Sequence, residues 1–69
     1  MKFEERLRLL RAETGLSQKQ TAEVLGITLR QYQRFEAGEQ RPGFDNLIKM
    51  ADHFQISLDW FTGRKEDRG

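Results

Sequence analysis

The 69-residue sequence contains no cysteine, so neither disulfides nor thiolate metal sites can stabilise its fold. Its apolar stretches are interrupted by charged residues and none approaches the roughly 20 residues of a membrane-spanning helix. No secretory leader is recognisable, so we expect a cytoplasmic protein without a membrane partner. The length suffices for one domain with a single core, which must be stabilised by apolar packing alone.

Clusters of catalytic or metal-binding residues are also missing from the sequence. The only histidine, His53, has no cysteine and no cluster of acids near it, and we interpret it as a half-exposed residue near the end of a helix. The six glycines form no phosphate-binding pattern of the dinucleotide or Walker type. We therefore expect no enzyme activity, no cofactor and no metal.

The overall charge is only +1, much less basic than in many nucleic-acid-binding proteins. Its distribution is more informative than its sum. Between positions 18 and 34, Lys19, Arg30 and Arg34 face only one acid, Glu23, and three positive charges against one negative leave a local charge of +2. This segment is a modest basic patch.

The first half of the chain predicts three short helices in close succession. The first runs to about Glu13 and ends at Gly15, and its apolar positions recur at helical spacing: Phe3, Leu7 and Leu10. Residues 17–20 read S-x-x-Q and residues 28–31 read T-x-x-Q, two capping boxes only eleven residues apart. They predict a second helix to about Leu25 and a third that ends near Ala37 and Gly38.

The two abutting helices are joined through a glycine turn, which is typical of a helix-turn-helix. Ala22 provides the small residue that such a motif needs where the second helix faces the third. Gly26 provides a turn residue for which positive φ carries no penalty. Both residues govern how the third helix is presented.

The second half of the chain predicts two further helices. Four apolar residues fit the spacing i, i+3, i+4, i+7 and define the expected core face of a fourth helix that runs to about Phe54: Phe44, Leu47, Ile48 and Ala51. Ser57 caps a short fifth helix, closed by Gly63, in which we assign Phe61 to the core. We expect an all-α domain over residues 1–63 and a charged flexible tail over residues 64–69.

Three segments resemble the Cro and phage-repressor type of helix-turn-helix domain, also called the xenobiotic-response-element family. They are R-x-x-x-G-L-S-Q-x-x-x-A-x-x-L-G-I-T from Arg11 to Thr28, F-E-A-G-E-Q-R-P from Phe35 to Pro42, and I-S-L-D-W-F from Ile56 to Phe61. The resemblance spans about residues 3–63. It implies a compact five-helix, lambda-repressor-like fold in which helices two and three form the helix-turn-helix.

The resemblance also implies site residues for double-stranded DNA. Residues matching base-reading positions in the major groove are Thr28, Leu29, Arg30 and Arg34. Residues matching positions that contact or flank the DNA backbone are Gln18, Gln31, Gln33, Gln40 and Arg41. Arg11 and Glu36 match a partly buried ion pair between helix one and the end of helix three. At Tyr32, relatives more often carry an aliphatic residue, so its hydroxyl must reach the surface or find a partner.

These residues favour a sequence-specific transcriptional regulator, bacterial or phage-encoded and nucleoid-associated when bound. We expect a repressor that binds a palindromic operator as a homodimer. The expected dimer surface comprises Ile56, Leu58 and Trp60, which offer more apolar area than so short a helix can hide, although Trp60 also fits a core position. A different interpretation stays open, in which the fold serves as a protein-interaction module or antitoxin-type protein with a regulatory protein partner.

Overall fold

The computed structural model describes residues Met1–Arg68, so Gly69, the last residue of the predicted tail, lies outside the described residues. Five helices follow one another without a strand in this part of the chain: α1 (Phe3–Thr14), α2 (Gln18–Leu25), α3 (Leu29–Glu36), α4 (Phe44–Phe54) and α5 (Leu58–Phe61). The prediction of an all-α, five-helix fold is confirmed.

The turns around α2 follow from local capping. The Ser17 hydroxyl accepts a hydrogen bond from the Gln20 backbone N–H at 3.0 Å, and the Gln20 side chain accepts one from the Ser17 N–H at 2.9 Å, so the first capping box is complete. After α2, Gly26 adopts φ +72°, the left-handed conformation that the turn requires.

The second predicted capping box is only half formed. The Thr28 hydroxyl accepts from the Gln31 N–H at 3.1 Å. Among the described residues, however, the Gln31 side chain does not return to the backbone of Thr28. The prediction of a reciprocal box was therefore wrong at Gln31, and one hydroxyl suffices to begin α3.

All five helices contribute to one apolar core: Leu7, Leu10, Ala22, Leu25, Tyr32, Phe35, Met50, Ala51, Trp60 and Phe61. Ala22 is 2% exposed in α2, which packs against α3. A larger side chain at this buried position would overpack the core.

The predicted core face of α4 was wrong at Phe44, whose side chain is 76% exposed. Met50, which the prediction omitted, is fully buried. The buried stripe is the same i, i+3, i+4, i+7 pattern displaced by three residues, namely Leu47, Met50, Ala51 and Phe54. Phe44 begins the helix and precedes this stripe.

Of the two positions that the sequence left open for Trp60, the core and a dimer surface, the residue occupies the core, so its assignment to the dimer surface is corrected. Its side chain is only 4% exposed. The reason is that cations cover it: the guanidinium of Arg6 lies 4.7 Å from the ring centroid and that of Arg68 lies 5.1 Å from it. Arg68 is itself held by Glu13 through two hydrogen bonds of 2.8 Å.

Arg6 is a buried arginine, 2% exposed, that connects α1 to the C-terminal residues. Its guanidinium donates to the carbonyl of Trp60 at 2.8 Å and to that of Lys65 at 3.4 Å. It also lies 3.7 Å from the carboxylate of Glu66. These acceptors offset the cost of removing a cation from water.

Candidate nucleic-acid interface

One face of α3 is buried and the opposite face is polar and cationic. The buried residues are Tyr32, Phe35 and Glu36. Arg30, Gln33 and Arg34 are exposed, and the spacing i, i+3, i+4 places them on one face of the helix. Neither arginine takes part in an ion pair with any acid in the described part of the chain.

The beginning of α3 presents two further predicted residues to the surface. Thr28 is exposed, and its hydroxyl oxygen is used by the cap while its hydroxyl hydrogen has no acceptor among residues 1–68. Leu29 is 38% exposed and offers an apolar contact without hydrogen-bonding capacity. Thr28 and Leu29 are thus exposed at the start of α3, and Arg30 and Arg34 lie about one turn apart on its polar face.

The carboxylate of Glu36, 3% exposed, fixes the C-terminal end of α3 to the rest of the domain. Arg11 donates to it through Nε at 2.6 Å and Nη2 at 3.3 Å, forming the ion pair implied by the resemblance. The hydroxyl of Tyr32 donates to it at 2.5 Å, and the amide of Gln18 at 3.0 Å. Tyr32 therefore finds its partner inside the protein.

Electrostatics agree with this geometry. Burial favours the neutral form of Glu36, but the hydrogen bonds from Arg11, Tyr32 and Gln18 outweigh it and hold the pKa of Glu36 below its ordinary value. The hydrogen bond to Glu36 raises the pKa of Arg11. Burial, together with the adjacent carboxylate, raises the pKa of Tyr32 well above its ordinary value. Near neutral pH the cluster is an ionised pair with a neutral phenol.

Sequence reasoning missed two members of this cluster. Arg8 donates to the backbone carbonyl of Glu36, a contact that caps the end of α3. Its position three residues before Arg11, on the same face of α1, was the available signal. Gln18 was assigned to the DNA backbone only, and nothing in its spacing indicated a hydrogen bond to a buried carboxylate.

The loop after α3 is ordered by backbone hydrogen bonds that return to the helix. The N–H groups of Glu39 and Gln40 donate to the carbonyl of Arg34 at 3.0 and 3.4 Å. Gly38, at φ +76°, passes so close to the carboxylate of Glu4 that a β-carbon would collide with it. Gln40 and Arg41 lie in this exposed loop after α3.

The other two residues predicted for a dimer surface, Leu58 and Ile56, differ in exposure. Leu58 is 36% exposed, and Ile56 is half-buried against the core. With Trp60 covered, the apolar area that α5 offers is smaller than the sequence suggested.

A metal site and a membrane-spanning helix each place their own requirements on the described part of the chain. No group of histidine and acidic side chains there could hold a metal ion. Nor is any of its helices both long enough and apolar enough to span a membrane.

Comparisons with known proteins agree on one family. A family model described as helix-turn-helix matches residues 7–61. The CTXphi cryptic-phage transcriptional repressor RstR of Vibrio cholerae is 42% identical over 64 residues, which are 93% of this chain and 57% of that repressor. The chain spans about half the length of the curated relatives it matches.

Two solved structures share the fold over nearly the whole chain. The P22 c2 repressor, crystallised with a synthetic operator, superposes with a TM-score of 0.87 at 22% identity and covers 94% of this chain and 98% of its own. A transcriptional regulator from Listeria innocua superposes with a TM-score of 0.85 at 33% identity, over 96% of this chain and 62% of its own.

Proposed function

Because this chain belongs to the Cro and phage-repressor type of helix-turn-helix family, we propose that it is a sequence-specific DNA-binding transcriptional regulator that acts as a repressor. The observation that carries the proposal is the exposed face of α3, on which Arg30 and Arg34 make no internal ion pair among residues 1–68. The opposite face of the same helix is fixed by the buried Glu36 cluster. A rigid helix with unpaired arginines is suited to the major groove.

Arg30 and Arg34 are the proposed base readers, since an arginine fork spans the O6 and N7 atoms of guanine. At the start of α3, Thr28 supplies a hydroxyl for a base edge or phosphate. Leu29 supplies an apolar contact that suits the methyl group of thymine. Base contacts of this kind specify sequence, whereas phosphate contacts set position.

Backbone phosphates would be contacted on both sides of the recognition helix. Gln18 lies at the first position of α2, where the positive end of the helix favours an anion. Gln40 and Arg41 lie in the exposed loop after α3. The side chain of Gln31 makes no hydrogen bond to the backbone of Thr28, so it is a further candidate for a contact that flanks the base readers.

We extend the proposal to a homodimer on a palindromic operator, with two recognition helices about 34 Å apart. Support comes from the partly exposed Leu58 and from Ile56 beside it. A regulator of this kind would act on the nucleoid in the cytoplasm. The near-neutral charge of +1 favours one other candidate, a protein-interaction or antitoxin-type module on the same fold.

Selection from a randomised DNA pool at one fixed salt concentration tests the proposal. We expect the intact protein to enrich a palindrome, and Arg30→Ala or Arg34→Ala to relax one guanine preference with a loss of about 1–3 kcal/mol. Arg64→Ala is the matched control, because Arg64 is 81% exposed and lies outside the helix-turn-helix. If the intact protein enriches no sequence, the regulator function is refuted and a search for a protein partner becomes the next step.

A further inference from the structure

Two hydrogen bonds fix which way the side-chain amide of Gln18 is turned. Its Nε2 donates to Glu36 Oε1 at 3.0 Å, and its Oε1 accepts from Gln33 Nε2 at 3.2 Å. An ionised carboxylate only accepts hydrogen bonds, so the nitrogen of Gln18 must face Glu36 and its oxygen must face Gln33.

This arrangement leaves one amide N–H of Gln18 without an acceptor among residues 1–68. Gln18 is half-buried at the first position of α2, whereas Gln33 is exposed on the arginine face of α3. The remaining N–H is therefore a single donor of fixed direction, located where the two helices of the motif meet.

We propose that Gln33 is a positioning residue: it holds the Gln18 amide, across the helix-turn-helix, with one N–H directed at a DNA phosphate, and it reads no base itself. This inference rests on the proposed DNA-binding function. The hydrogen bond to Gln18 uses one N–H of Gln33 and fixes the orientation of its amide, so a base edge could reach only the second N–H or the Oε1 of Gln33 in that orientation. Leu29, the first residue of α3, has no polar side-chain group that could replace Gln33 as the hydrogen-bond donor to Gln18.

The consequence is a coupling between the two helices of the motif. Glu36 and Gln33 both belong to α3, so they fix the Gln18 amide of α2 from the recognition helix itself. Any displacement of α3 would move the phosphate donor together with the base-reading arginines. Preorganisation of this kind lowers the entropic cost of binding.

A double-mutant cycle on DNA affinity tests the proposal. Gln33→Met keeps the side-chain length but removes the donor, and we expect it to weaken binding to the selected DNA about fivefold, as for one neutral hydrogen bond. In the Gln18→Ala background the same change should weaken binding less than about twofold, because Gln33 would have nothing left to position. Gln31→Met is the matched control, and its effect should be equal in both backgrounds.

Two further readouts separate positioning from base reading. In the pool selection, Gln33→Met should leave the preferred sequence unchanged while lowering affinity. In the free protein, nitrogen-15 relaxation should show an ordered Gln18 side-chain amide that becomes mobile in Gln33→Met. Equal losses in both backgrounds, a relaxed preference at one base pair, or an equally mobile Gln18 amide in both proteins would each overturn the proposal. Failure of the proposed function is distinct, because the intact protein itself would then enrich no DNA.

Discussion

Removing Arg11 should destabilise the domain strongly, because it leaves a buried carboxylate without its counter-ion. Glu36 is 3% exposed and Arg11 is 22% exposed. Breaking a well-buried ion pair costs about 3–5 kcal/mol, and the partial solvation of Arg11 puts Arg11→Met near 3 kcal/mol. In a domain of this size each kcal/mol lowers the Tm by about 4–8 °C, so the expected decrease is roughly 12–24 °C.

The pH dependence of this loss gives a second check on the same reasoning. The folded pKa of Glu36 lies below its ordinary value of 4.5. Its stabilising contribution is therefore present above about pH 4.5 and is lost as pH falls through the lower folded value. Without Arg11 the buried carboxylate takes up its proton more readily. The difference between Arg11→Met and the intact protein should be largest near pH 7 and should shrink in acid.

Chemical denaturation followed by circular dichroism measures both effects. Arg64→Met serves as the control, since Arg64 is 81% exposed and lies 4.0 Å from Asp59. An exposed pair of this kind contributes at most about 1 kcal/mol. The reasoning is refuted if Arg11→Met costs no more than Arg64→Met, or if its cost is independent of pH between 7 and 3.

Four other substitutions are informative. Gly26→Ala should cost about 1–2 kcal/mol in urea denaturation, a purely conformational cost because φ is +72° while no atom lies within 4 Å of the added carbon. Phe44→Ala should change stability by less than about 0.5 kcal/mol, since the ring is 76% exposed, whereas Leu7→Ala at a fully buried site should cost about 2–5 kcal/mol; equal costs would contradict the corrected α4 face. Tyr32→Phe should cost about 1.5–3 kcal/mol at neutral pH. Because folding raises the pKa of Tyr32, that contribution is present below about pH 10 and lost above it, so a difference constant from pH 8 to 12 would contradict the assignment.

The elements that the sequence predicted well are those encoded by residues close together in the chain. Ser17 and Gln20 satisfy each other's backbone groups within three residues, and Gly26 ends a helix through its own conformation. No distant contact is needed for either, so the bounds of α2 and the turn before α3 follow from the sequence pattern.

The face of α4 illustrates why periodicity alone was insufficient. Two sets of residues, one beginning at Phe44 and one at Leu47, satisfy the same helical spacing, and spacing alone does not distinguish them. The choice depends on which residues of other helices lie opposite. That information is tertiary, and it buries Met50 while it leaves Phe44 in solvent.

The exposed residues of the candidate site could be predicted from the sequence, but the hydrogen bonds to its buried residues could not. Arg30 and Arg34 stand out as cations on a polar face, whereas Gln18 contacts Glu36 across 18 positions of sequence. An arginine or glutamine is usually taken to be a surface residue, because burial of its polar group requires acceptors supplied by distant segments. Arg6 shows the same limitation, since its acceptors come from the C-terminal residues.

The contacts of the buried Arg6 are also expected to form late as the domain folds. Its hydrogen bonds to Trp60 and Lys65 join residues 54 and 59 positions apart, while the caps of α2 join residues three positions apart. The entropic cost of loop closure rises with that separation, so we expect the Arg6 contacts to form after α2 and α3 have paired. During unfolding, the segment from Trp60 to Lys65 would then separate from α1 before the helix-turn-helix unfolds. Its backbone amide protons would therefore exchange with solvent faster than those of α2 and α3.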